Sequence, residues 1–140
     1  MFGNTDYYRG LCNYTRKLQL PIQYQGKRIF LQVGAAQTVA DVFVDHHFVT
    51  QHQGGYTAFV AELTDFIKPG KESTLEIRVN NAPTMDIAPI CGDLDIFGGL
   101  YRCVKLRGTD DVGSAPYYYA SSGVFCTQTE VREKNAALKI

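Results

Sequence analysis

Three acids share one aperiodic stretch of this chain. Asp86, Asp93 and Asp95 fall between Asn81 and Phe97, a segment with Pro83 and Pro89 and no alternation of polar and apolar residues. Loops of that length in compact domains concentrate function. Carboxylates on a loop held by a rigid scaffold can make charge-assisted hydrogen bonds to hydroxyl groups, or supply oxygen ligands to a hard cation such as calcium. Asp93 is the candidate for ligand contact and Asp95 its neighbour. An Asp-x-Asp pair in a loop is more often a turn device or a solvated pair than a ligand-binding one, and both readings stay open. A cation near Asp93, completed by Asp95 and loop carbonyls, suits the donor set but is required by nothing in the sequence, so no cofactor or metal is assigned.

The other reactive side chains point away from catalysis. Five glutamates are present. Glu62 ends a strand, Glu72 sits beside Lys71 in a turn, Glu76 faces solvent near Arg78, and Glu130 and Glu133 lie in the tail; each reads as solvated surface charge. His46 and His47 occupy a hairpin tip and His52 follows one strand later, without a carboxylate at zinc-ligand spacing. Cys12, Cys91, Cys103 and Cys126 are far apart, lack a Cys-x-x-Cys spacing and are expected to be free thiols. No nucleophile elbow, phosphate loop or dinucleotide fingerprint occurs. Tyr117, Tyr118 and Tyr119 could stack on a sugar ring or wedge against the body of the protein.

Two glycine pairs are candidate structural positions that hold such a loop. Gly54-Gly55 is followed by Tyr56, and Gly98-Gly99 by Tyr101 and Arg102. Adjacent glycines let the chain reverse and pass close to another backbone. Arg102 lies among apolar strand residues, so its guanidinium is expected to be buried and satisfied by backbone carbonyls or a carboxylate.

The elements around these corners read as strands. Tyr14 to Leu20 alternates with Tyr14, Leu18 and Leu20 on one face, Arg28 to Val33 alternates with Ile29, Leu31 and Val33 inward, and Gly34-Ala35-Ala36 breaks the pattern. Val39 to Val44 and Phe48 to Gln53 form a hairpin through Asp45-His46-His47. Thr57 to Glu62 is the next strand, Leu63 to Ile67 one helical turn, Ser73 to Asn80 the clearest strand, and Leu100 to Arg107 the last good one. Gly108 to Pro116 reads as a linker, followed by strands at Gly123 to Gln128 and Ala136 to Ile140. Some seven short strands with regular turns predict an all-β antiparallel sandwich, most simply a jelly roll.

Composition agrees. The 140 residues, 45% hydrophobic, suit one core, and 14 basic against 14 acidic residues leave zero formal charge with no basic stripe for nucleic acid. No apolar run nears the roughly 20 residues that span a bilayer, and Met1 to Arg9 has no hydrophobic signal segment. Neither nucleic acid nor membrane is an expected partner.

Taken in order, Arg9-Gly10, Tyr14-Thr15-Arg16-Lys17, Leu20-Pro21, Gly26-Lys27-Arg28-Ile29-Phe30-Leu31, Ala40-Asp41-Val42-Phe43-Val44-Asp45, His52-Gln53-Gly54-Gly55-Tyr56-Thr57-Ala58-Phe59, Asn80-Asn81, and Asp93 ahead of Gly98-Gly99-Leu100-Tyr101-Arg102 resemble the N-terminal sugar-binding domain of glycoside hydrolase family 2. That family includes bacterial β-galactosidases, β-glucuronidases and β-mannosidases. The resemblance implies a galactose-binding-like jelly roll over residues 1–108, a linker at 109–116, and the start of an immunoglobulin-like domain at 117–140. It implies that Asp93 reaches toward the sugar, or a cation beside it, in an active site built by a barrel domain. The carboxyl pair of a retaining glycosidase, about 5 Å apart, belongs to that barrel. This chain alone is therefore expected to be a non-catalytic accessory of a retaining O-glycosyl hydrolase whose partners are the barrel, the immunoglobulin-like domain and a β-galactoside-like carbohydrate. The alternative is a free-standing carbohydrate-binding module. The pattern from Asp93 to Arg102 is most similar to the β-galactosidase members, and the resemblance implies a periplasmic or secreted bacterial parent. Two departures stand out. Asp45-His46 replaces the family's Asn-Gly, so the hairpin need not take the tight form, and Cys103 replaces an Asp after Tyr101-Arg102.

Overall fold

The structure, a computed structural model, describes residues 8–87, 98–114 and 116–140. In chain order its strands are β1 (Leu11–Gln19), β2 (Arg28–Val33), β3 (Ala36–Gln37), β4 (Val39–Val44), β5 (His47–Gln53), β6 (Phe59–Glu62), β7 (Glu72–Asn80), β8 (Gly99–Leu100), β9 (Val104–Thr109), β10 (Thr127–Val131) and β11 (Ala136–Lys139). One antiparallel sheet runs β1-β7-β4-β5 and a second β6-β2-β9. They form the antiparallel β-sandwich that the alternation predicts, of the jelly-roll class.

The inward residues of both sheets build one core. Ile29, Leu31 and Val33 of β2 meet Val42 and Val44 of β4 and Leu75, Ile77 and Val79 of β7, all essentially buried. Pairing places Val42 opposite Ile77, and Leu31 between Ala61 and Leu106. A register slip of one residue would turn this set to solvent. After β6, Leu63 and Ile67 are drawn into the core by a single helical turn, with the Phe66 and Ile67 amides donating to the Leu63 carbonyl. Among the described residues no helix is long and apolar enough to cross a membrane.

Several expectations are corrected. The run from Leu100 to Arg107 is two strands: β8 pairs with β3, the chain breaks over residues 101–103, and β9 resumes against β2. Gly34-Ala35-Ala36 accordingly ends in a strand, because Ala36 opens β3. β6 starts at Phe59 rather than Thr57. The first tail strand starts at Thr127, not Gly123, which takes a positive φ of 73°. β1 is an edge strand, and Tyr14 on its supposed inner face is 39% exposed.

The β4–β5 hairpin has the tight form despite lacking Asn-Gly. Asp45 and His46 both adopt positive φ, 47° and 68°, as a two-residue type I′ turn demands. Asp tolerates that region, and Asp45 is tied to β7 twice: its amide donates to the Thr74 carbonyl (2.9 Å) and its carboxylate accepts from the Thr74 amide (2.6 Å).

Candidate functional site

The two glycine corners, 44 residues apart from Gly54 to Gly98 in the chain, come together at one end of the sandwich. The β3–β8 pairing sets Gln37 against Gly99 and Ala36 against Leu100. The Tyr101 hydroxyl donates to the Gly55 carbonyl, and Arg102 Nη1 donates to the Tyr56 carbonyl at 3.3 Å. The Gly54 amide donates to Thr38 and the Thr38 amide to Asn80, both at 2.9 Å. Asn81 extends the network, its Oδ1 accepting from the Gly10 amide at 2.7 Å.

Each glycine here answers to a specific neighbour. Gly54 has φ +123° and Gly99 φ +88°, backbone that side chains rarely adopt. A methyl group on Gly55 would lie 1.9 Å from Gln37 Oε1, and one on Gly98 would lie 2.3 Å from Asn81 Nδ2. Gln37 is buried, and its Nε2 has no hydrogen-bond partner among the described residues. The junction is thus a close-packed platform of backbone and amides. The segment carrying the candidate acids leaves β7 through Asn81 and rejoins the platform at Gly98. Asp93, Asp95 and Cys91 lie outside the described residues. Arg102 is exposed rather than buried, and in place of the expected buried charge its guanidinium reaches the Tyr56 carbonyl and lies 5.7 Å from the centre of the Tyr101 ring.

A second cluster, on the outer face of the β6-β2-β9 sheet, overturns the reading of Glu62 as solvated. Arg28 grips Glu62 with both ends of its guanidinium, Nε to Oε1 and Nη2 to Oε2 at 2.9 Å each. Thr64 Oγ1 donates to Oε1 at 2.9 Å, and the Tyr117 hydroxyl donates to Oε2. The Arg28 hydrogen bonds, against a desolvation cost, hold the Glu62 carboxyl down at about 2. Bonding to Glu62 correspondingly raises the Tyr117 phenol. Phe30, which alternation points outward, is nonetheless fully buried: Tyr117 meets it edge to face at 5.8 Å and Arg28 covers its ring at 5.0 Å. Tyr117 therefore lays its ring against the sandwich while remaining half exposed, and Tyr118 and Tyr119 are exposed as well.

Glu76 is corrected likewise. It is buried on the outer face of β7 between Asn13 Nδ2 and Arg78 Nε, both 2.7 Å away, and the Arg78 bond lowers its carboxyl below the usual range. Both glutamates, Glu62 partly exposed and Glu76 buried, are held ionised by arginine, the reverse of what a general acid needs. Cys12, Cys103 and Cys126 are free thiols. Among the described residues no three His, Cys, Asp or Glu side chains converge as a metal site. The sequence reading missed Gln37 and the Arg28–Glu62–Tyr117 cluster. Asn81 was legible only as half of Asn80-Asn81.

Comparison with known proteins places this geometry. A family model described as glycosyl hydrolases family 2, sugar binding domain, matches residues 3–109. A β-glucuronidase of Bacteroides fragilis is 40% identical over 96% of this chain, and a β-galactosidase of Thermoanaerobacter pseudethanolicus is 33% identical over 80% of it. The matches span only 19% and 16% of those relatives. The crystal structure of a Bacteroides uniformis β-glucuronidase superposes with a TM-score of 0.87 at 38% identity, covering 95% of this chain and 16% of that one.

Proposed function

The chain belongs to the glycosyl hydrolases of family 2 through their sugar-binding domain, and from that membership we propose that it is a non-catalytic module shaping the carbohydrate site of a longer, retaining β-glycoside hydrolase. The observation that carries this reading is the glycine junction, a rigid base of backbone hydrogen bonds from which the Asp93 segment departs. Its rigidity would let a loop carboxylate meet a substrate built into another domain at low ordering cost. Asp93 is the residue assigned to that contact, through a sugar hydroxyl or a cation beside it. Asp95 is the lesser contributor, and the remaining chain supplies the barrel and the immunoglobulin-like domain.

A β-galactoside is the substrate the Asp93-to-Arg102 pattern favours. A β-glucuronide is the second reading, favoured by the relative at 40% identity and the structure at 38%, both named β-glucuronidases. In a protein of the relatives' length carrying this chain, Asp93→Ala is expected to lower kcat/KM on an aryl β-glycoside with melting temperature unchanged. Unaltered kinetics would remove the assignment. Paired assays on aryl β-galactoside and aryl β-glucuronide decide between the two sugars.

A further inference from the structure

The glycine corner joins two sheet edges, β5 of the four-stranded sheet and β6 of the three-stranded sheet. Beside them runs a groove of ≈ 330 Å³, within the range of small-ligand sites. Gln51 and His52 of β5 and Phe59 of β6 form its floor, and Tyr117, Tyr118 and Tyr119 form its wall. Edge strands also leave backbone donors and acceptors unpaired along their outer side.

We propose that this groove is a saccharide-binding site, with Tyr118 offering a ring face to the apolar side of a pyranose and His52 and Gln51 meeting its hydroxyls. The proposal rests on the reading of the chain as a sugar-binding domain and adds a place on its surface where sugar is held.

Four observations carry it. The wall is fixed: Tyr117 is anchored by Glu62, Arg28 and Phe30, so its neighbours are presented from a tethered segment. The aromatics are open, Tyr118 and Tyr119 being 61% and 60% exposed. Tyr118 touches Tyr119 and Phe125 edge to face, at 4.9 and 5.2 Å. Each such contact sets the edge of one ring against the face of the other and holds the Tyr118 ring in a defined orientation. The turn that presents them is strained, with Tyr119 at φ 47° and Ala120 at φ 58°, and is closed by the Ser121 amide donating to Tyr118 at 2.9 Å. Residues other than glycine are held there against a local cost that surrounding structure must offset. On the floor, His52 lies flat against Phe59 at 4.4 Å and 12°. Burial lowers its pKa against an opposing hydrogen bond with the Gly54 backbone, and Nε2 lies 3.5 Å from Thr57 Oγ1, so the ring is held in place by neighbours on the glycine corner. Gln51 is oriented by donating to Asp41 at 2.7 Å.

The test uses the full 140-residue chain with methyl β-D-galactoside and methyl β-D-glucuronide, read by saturation-transfer NMR and by tyrosine emission, which no tryptophan obscures. Millimolar binding of at least one probe is expected. It should weaken fivefold or more in Tyr118→Ala, an exposed position whose loss leaves the melting temperature unchanged, and also in Gln51→Ala. Binding undiminished in Tyr118→Ala would overturn the groove while leaving the sugar-binding reading intact. No binding of either probe would also overturn it, and the Asp93→Ala kinetics of the longer enzyme would then judge the wider reading separately.

Discussion

The two ends of residues 98–119 are held by opposite kinds of physics. At the glycine junction the contacts are backbone to backbone, or a side-chain amide, phenol or guanidinium donating to or accepting from backbone, with no carboxylate among them in the described residues, and specificity comes from space that no side chain can share. On the outer face of β2 and β6 the same chain is held by a guanidinium, a carboxylate and a phenol that stay partly in water. The first arrangement gives fixed geometry indifferent to pH and salt. The second gives a contact that titrates. A loop that must meet a substrate with low positional error belongs on the first; a segment leading onward from the sandwich can be carried by the second.

The sharpest way to break the comparison is Gly55→Ala. The new methyl would overlap the buried Gln37 amide, and overpacking of this kind costs about 1–3 kcal/mol. Denaturant unfolding should show the loss equally at pH 5 and pH 8. A neutral result would show that the platform yields, and with it the claim of rigidity.

Tyr101→Phe is milder. It removes the hydroxyl bound to the Gly55 carbonyl and should lower stability by about 1 kcal/mol, again without pH dependence. Calorimetric melting of the two proteins side by side checks it.

Glu62→Gln should behave differently in kind. The carboxylate is stabilised by Arg28 in the folded chain, with a pKa of about 2 against an ordinary 4.5. A depressed pKa contributes stability that is complete above about pH 4.5 and is lost as pH falls toward 2. Solvent screening limits the effect to about 1 kcal/mol at neutral pH. The parent's advantage over Glu62→Gln should therefore shrink between pH 4.5 and 2 and fall with salt. A constant difference across that window would remove the charge from the explanation.

The smallest effect is expected at Lys17, which reaches Glu72 at 2.8 Å from the exposed face of edge strand β1. Lys17→Ala should melt with the parent within experimental error, because an exposed pair gains little over its hydration and ordering cost. A clear loss would mean that surface pairs matter here as much as the Arg28–Glu62 grip.

Strand identity was legible because half-burial imposes a period of two on the chain. Ile29, Leu31 and Val33, or Leu75, Ile77 and Val79, declare both strand and inner face without any knowledge of partners. The corners were legible too, since paired glycines mark a reversal wherever they stand. Hydrophobic alternation says nothing about the outer face. Alternation points Phe30 and Glu76 outward, and Glu76 reads from it as solvated, yet tertiary packing buries the first under Tyr117, 87 residues later, and the second between Asn13 and Arg78. The break that divides Leu100 to Arg107 was invisible for a related reason: β8 and β9 differ only in which strand they pair with, and pairing is long-range.

The sequence by itself determined the class of fold, the places where the chain turns, and the family, because periodicity, glycine pairs and ordered motifs are local or collinear properties. Only the tertiary structure decided that Gly54-Gly55 and Gly98-Gly99 form one platform, that Gln37 fills the space beside Gly55, and that Arg28 and Glu62 receive Tyr117. Those are contacts between residues 18 to 89 positions apart. Their partners are selected by the closing of two sheets over one core, a step for which no local residue pattern carries the address.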